Sequence, residues 1–193
     1  MAVAMTDHPI AGETGLTWDE FLALPYETRN GALIDGEIVV NSPNAAHELC
    51  VFNIFGALAQ WYRAAPGRGE ASTQQPVGIS ARRGYQPDLA WYPPEQCSPP
   101  GEPPVLTGVP AIVVEVFSPS TRRFDLVRNQ HDYAVVGVRE LWFVDPIERR
   151  VMLARQPSAS GAFAELVELA VGDEIGSPLL DGFALAVADV FAR

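Results

Sequence analysis

The spacing of apolar positions changes several times along this chain, and each change marks an element. Residues 17–24 predict a short helix. Thr17 can cap it, Glu20 stands three residues on, and Pro25 follows its end. Residues 32–40 are two apolar runs around Asp35-Gly36, a dipeptide that closes a tight hairpin because both of its residues tolerate positive φ. Asn44 and Ser42 offer caps for a long helix over 45–65, with an apolar face of Leu49, Phe52, Ile54, Phe55, Leu58 and Trp61, stopped by Pro66-Gly67. Strands are predicted over 74–79 and 88–92, with a turn at Arg82-Arg83-Gly84 between them. The proline-rich stretch 93–110 lacks any period, and a loop of that length in a compact domain is usually functional or mobile. Beyond it come a strand over 111–117, a helix over 122–136 capped from within Ser118 to Thr121 and ended by Gly137, and strands over 141–144, 150–154 and 163–169. A short apolar segment over 185–191 closes the chain. This order predicts a mixed α/β domain with one mixed sheet and a helix on each side. Residues 1–15 read as a loose N-terminal tail and 16–193 as a single domain.

The strand over 111–117 is apolar except for Glu115, and a strand so apolar is covered on both faces. A carboxylate there must be hydrogen-bonded, paired, protonated or bound to a cation, since an unpaired buried charge costs several kcal/mol. Asp88 stands in the same context, ahead of Leu89-Ala90-Trp91-Tyr92. Two acids on two apolar strands suggest carboxylates converging at one place in a sheet, a donor type that holds hard cations such as Mg2+. The bland reading is two strand-end acids, each paired with an arginine or with backbone amides. Arg82-Arg83 and Arg122-Arg123 flank these strands. They are ordinary solvated surface, or, if they share the mouth of one cleft, a means of holding phosphates by bidentate contact. Trp91, Tyr92 and Trp142 fit the core better than a base-stacking platform.

At 48% hydrophobic, the 193 residues can bury a sizeable core. A net charge of −11 argues against a broad basic footprint for nucleic acid, though not against a local one. All 13 basic residues are arginine; the chain contains no lysine. Cys50 and Cys97 lie in neither a disulfide framework nor a zinc spacing, so a reducing cytoplasm is expected. No apolar run approaches the roughly 18 residues of a membrane span, and the N-terminus lacks the pattern of a secretory signal.

The order helix, strand, strand with Pro87-Asp88, strand with Glu115, helix, strand resembles the core of the PD-(D/E)xK nuclease superfamily. More closely, the chain is similar to the Uma family of putative restriction endonucleases, a bacterial family. The matching stretches are Gln86-Pro87-Asp88-Leu89, Val114 to Thr121, Asp125 with Tyr133, and Gly137 to Pro146. Leu33 to Glu37, Ser42-Pro43 with His47, and the tail around Gly172-Asp173 and Ser177-Pro178 match as well, so the resemblance spans about 16–191. It implies a restriction-endonuclease-like core, a central mixed sheet flanked by helices with an N-terminal hairpin.

The resemblance also implies metal-dependent hydrolysis of a DNA phosphodiester. Asp88 and Glu115 would be the acidic ligands of Mg2+ or Mn2+, with the main-chain carbonyl of Val116 a further ligand. The metal would activate water and offset charge on the scissile phosphate. His47 would line the site, and a homodimer is expected by analogy with nucleases that cut two strands. The chain departs from the family at two places. The superfamily's lysine position, two after the glutamate, is Phe117. The family's own lysine position, four after the aspartate matching Asp125, is Asn129, which donates hydrogen bonds but carries no charge. Asp125, Asn129 and Tyr133 share one helical face by spacing, with Asp125 and Tyr133 expected to be structural. The family's acid ahead of the first hairpin is Ala32. Two readings follow: a DNA endonuclease weakened by the missing lysine, or a catalytically inactive nuclease-fold protein that binds nucleic acid or a protein without cutting.

Overall fold

The computed structural model describes residues 15–29, 31–40, 44–99, 101–117, 125–158 and 160–193. The N-terminal tail before residue 15, the cap expected at Ser42, the caps expected from Ser118 to Thr121, and Arg122-Arg123 lie outside the described residues. The chain divides into two compact units, one of residues 1–41 and 78–85, the other of 42–77 and 86–193.

In the smaller unit, α1 (Trp18–Ala23) begins with a complete capping box. Glu20 N–H donates to Thr17 Oγ1 at 3.3 Å, and Thr17 N–H donates to Glu20 Oε2 at 2.8 Å, so two otherwise orphaned amides are satisfied. Strands β1 (Ala32–Ile34) and β2 (Glu37–Val39) form the expected hairpin, with φ of 53° at Asp35 and 89° at Gly36. They belong to a four-stranded sheet ordered β2-β1-β5-β4, where β4 is Val77–Ser80 and β5 is Arg83–Tyr85. The Trp18 ring lies on Gly84, leaving no room there for a Cβ.

In the larger unit, α2 (Ala45–Arg63) starts at Asn44, whose Oδ1 accepts from the N–H groups of Ala46 and His47, both at 3.0 Å. Six strands follow in the order β10-β9-β8-β7-β6-β3. They are β3 (Glu70–Ser72), β6 (Leu89–Tyr92), β7 (Ile112–Val116), β8 (Glu140–Asp145), β9 (Arg150–Pro157) and β10 (Phe163–Ala170). Among the described strands of this sheet only β7 and β8 run parallel; their connection carries α3 (Asp125–Val136), as parallel neighbours require a crossover. A separate pair, β11 (Glu174–Ile175) with β12 (Leu185–Ala186), precedes α4 (Val187–Val190).

Both faces of the central sheet are covered, as its apolar strands require. On one face Leu89, Trp91, Ile112, Val114, Trp142 and Leu153 pack with Cys50, Ile54, Leu58 and Trp61 of α2 and with the C-terminal segment from Ile175 to Val190. Each fully buried aliphatic side chain contributes about 1.5–3 kcal/mol. Ala90, Val113, Leu141 and Phe143 alternate with these and are buried on the other face. Trp91, Tyr92 and Trp142 are buried, as a core role requires.

Four expectations are corrected. Arg83 and Gly84, expected in a turn, lie in strand β5, which pairs with β1 at Leu33. The hairpin and the central sheet are separate sheets, not parts of one. The strand expected over 74–79 forms only from Val77 on, as β4, while β3 lies before it at Glu70–Ser72 in the other sheet. Gln74 takes φ of 54°, and Pro76 has no N–H to give a ladder, so no strand forms until after Pro76. Phe52, assigned to the buried face of α2, is 73% exposed.

Candidate active site

The β6–β7 ladder pairs Leu89 with Val114, Ala90 with Val113 and Trp91 with Ile112. Beyond the last pair, Leu89 with Val114, the next residues are Asp88 on one side and Glu115 on the other. The ladder stops here for a local reason: Pro87 lacks an N–H, and its carbonyl accepts instead from Gln74 N–H at 3.1 Å. Asp88 is therefore outside the strand proper, and its carboxylate turns to the neighbouring chain. Oδ2 accepts from Val116 N–H at 2.7 Å, a short, charge-assisted bond.

His47 reaches the same oxygen from α2. The Asn44 cap holds the helix's first turn, and His47 Nε2 lies 3.0 Å from Asp88 Oδ2. Its Nδ1 is buried and lies 3.6 Å from Glu48 Oε1, an ion-pair separation longer than a hydrogen bond. Burial works against a charge on this imidazole, but the hydrogen bond and charge of Asp88, helped by Glu48, outweigh it, and the His47 pKa is raised.

Glu115 is approached from α3. The Tyr133 hydroxyl donates to Glu115 Oε1 at 2.7 Å, and Tyr133 is 0% exposed. Asn129, one turn earlier on α3, is 8% exposed. Phe117, just past β7, stacks on Phe143 with centroids 5.4 Å apart.

Among the predicted site residues, Asp88, Glu115, Val116 and His47 thus lie together at one end of the sheet. Arg82 and Arg83 belong to the smaller unit and bind the hairpin turn there. Arg82 Nη2 donates to the Asp35 carbonyl at 2.9 Å, and Arg83 forms an ion pair with the Asp35 carboxylate. Asp125 opens α3. Tyr133 was read as structural, and its bond to Glu115 was not foreseen; the i, i+4, i+8 spacing from Asp125 was the one sequence signal pointing to it. Also unforeseen was a pocket of about 360 Å3 at the start of α2, lined by Ala45, Ala46, Cys50, Arg149 and Phe191 among others.

Among the described residues no cluster of three or more His, Cys, Asp or Glu side chains gathers round one point. The arrangement offers two carboxylates and main-chain groups. That is a hard-oxygen donor set of the kind that binds Mg2+ through one or two carboxylates with water completing the shell.

The sequence model of the Uma2 family, described as putative restriction endonuclease, matches residues 18–188. A solved structure described as a putative nuclease belonging to DUF820, from Anabaena variabilis, is similar with a TM-score of 0.76. It is 18% identical, over 91% of this chain and 97% of that one, so the likeness establishes the fold alone. Comparison with curated proteins finds no match. No helix among the described residues is long and apolar enough to cross a membrane.

Proposed function

This chain belongs to the Uma2 putative restriction endonuclease family, and we propose that it is a divalent-metal-dependent endonuclease that hydrolyses DNA phosphodiesters. The observation that supports the reading is the β6–β7 register, whose last pair, Leu89 with Val114, has Asp88 and Glu115 as the next residues on either side. These two carboxylates would hold Mg2+ or Mn2+, with the Val116 carbonyl as a further ligand. The bound ion supplies Lewis acidity at the scissile phosphate.

The remaining roles belong to the chain's own side chains. The Val116 amide and His47 hold one oxygen of Asp88, fixing how its carboxylate is presented. Asn129 occupies the family's lysine position as a neutral hydrogen-bond donor. Without a lysine the developing charge loses one electrostatic partner, so turnover is slow. Arg82, Arg83, Arg122 and Arg123 are proposed to hold backbone phosphates of the substrate. Protein of this kind acts in the cytoplasm, as a homodimer when it cuts both strands.

The test is incubation of pure protein with plasmid, single-stranded and branched DNA in Mg2+ or Mn2+. Cleavage that disappears in Glu115→Ala supports the reading. Absence of both cleavage and metal binding defeats it.

A second reading, an inactive nuclease-fold binding protein, is favoured by one observation: Phe117 and Asn129 leave both expected lysine positions uncharged in a chain with no lysine at all. Asn129→Lys separates the two. A large gain in Mg2+-dependent cleavage marks a weakened nuclease. No cleavage by either form, with a protein partner co-purifying and no DNA binding at low salt, marks the binding protein.

A further inference from the structure

We propose that Tyr133 is a positioning residue whose hydroxyl sets the direction in which Glu115 presents its carboxylate to a divalent cation. The proposal rests on the metal-binding reading above and adds to it a residue from outside the acid pair. The terminal torsion of a glutamate is broad and close to two-fold, so a half-buried Glu115 at the end of β7 has no intrinsic preferred direction for its oxygens. The 2.7 Å bond from Tyr133 to Oε1 selects one. Tyr133 can do this because it is itself held. It is 0% exposed, lies in the last turn of the 12-residue helix α3, and its main-chain carbonyl accepts from Val138 N–H at 3.0 Å just past the helix end.

Packing alone does not account for a tyrosine here. A phenylalanine would fill the same buried volume without bringing a hydroxyl that must find a partner. The hydroxyl meets the one acid in the otherwise apolar β7 strand. Partners that orient a ligating group from behind in this way are part of a metal site's construction, and losing one typically weakens metal affinity by roughly 10–100-fold. Asp88 is held similarly, by the Val116 amide and His47, so each carboxylate of the pair has one oxygen held by its own partners.

The experiment compares Mn2+ binding, by calorimetry without DNA, in wild type, Tyr133→Phe, Glu115→Gln and the double variant, with thermal unfolding in chelator as a check on folding. Tyr133→Phe is expected to bind Mn2+ about tenfold more weakly, and to add nothing once Glu115 is Gln. A second measurement does not depend on removing the hydroxyl. With 3-fluorotyrosine at position 133, the 19F resonance is expected to move when Mg2+ is added, and to stay put in the Glu115→Gln background. Equal Mn2+ affinity in wild type and Tyr133→Phe, with a 19F resonance indifferent to Mg2+, overturns the role of Tyr133 and leaves the metal reading standing. A wild type that binds neither ion overturns both.

Discussion

His47 Nε2 lies 3.0 Å from Asp88 Oδ2, joining the first turn of α2 to the residue just ahead of β6. Burial disfavours a charge on the imidazole, but Asp88 and then Glu48 favour it more, so its pKa in the folded protein is raised above the ordinary value near 6.5. The folded state therefore binds this proton more tightly than the unfolded chain does. The resulting stability is fully present below about pH 6.5 and is lost as pH rises through the raised value. In chelator, wild type is expected to lose stability to urea across that window, and His47→Gln to lose this part of the pH dependence. A pH profile shared by both proteins would show that the contact does not hold the proton.

Glu140 is a second place where the fold depends on a carboxylate. It is 2% exposed at the start of β8. Its Oε2 accepts from Trp142 Nε1 at 2.9 Å, its Oε1 accepts from Ser177 Oγ at 2.8 Å, and Arg155 Nε lies 3.4 Å from Oε1. Arg155 also donates to the Gly176 carbonyl, so the group ties the C-terminal segment to β8 and β9. Removing the Glu140 carboxylate leaves Trp142 Nε1 buried without its acceptor. Glu140→Ala is expected to destabilise by about 3 kcal/mol or more in urea unfolding, and Ser177→Ala by about 1 kcal/mol.

The smaller unit has a tight contact of its own. The Trp18 ring occupies the space a side chain at Gly84 would need, and Gly84 pairs with Leu33 across β5 and β1. A methyl there cannot be absorbed by a flexible tip, because ring atoms are what it meets. Gly84→Ala is expected to cost about 1–3 kcal/mol, visible as a lower midpoint in unfolding followed by tryptophan fluorescence. Gly56, with open space at its Cβ position, serves as the control for adding a methyl elsewhere.

Cys50 should be slow to react. Burial pushes its thiol up to about 11, against a small opposing pull from Arg149. Little thiolate is present at neutral pH, and the thiolate is the reactive form. In native protein at pH 7.5, a thiol reagent is expected to label Cys50 far more slowly than in urea. Rapid native labelling would contradict its burial against the sheet.

Several features were legible in the chain because they depend on near neighbours. Thr17 and Glu20 cap α1, Asp35-Gly36 turns the first hairpin, Asn44 caps α2 and Gly137 follows α3, each by bonds or torsions within a few residues. Apolar runs marked the central strands, because a strand buried on both faces has to be apolar throughout. The resemblance to a nuclease family was visible for the same reason, since its motifs are short stretches around those strands. The strand over 74–79 starts later than expected because Pro76 cannot join a ladder, and Phe52 is exposed because a helix's apolar stripe can be wider than the face that finds cover.

Other relationships required the folded chain. Asp88 and Glu115 are brought to the same end of β6 and β7 by the pairing of Leu89 with Val114, and a slip of one residue would turn every side chain of the slipped strand to the other face. Asp88 meets His47 and the Val116 amide, and Glu115 meets Tyr133, through bonds joining residues far apart in sequence. Arg82 and Arg83 are drawn to Asp35 by the pairing of β1 with β5. Local sequence settles which segments become helix or strand and which faces must be buried. The register of paired strands, enforced by burial on both sides of a sheet, settles which polar groups those segments bring together.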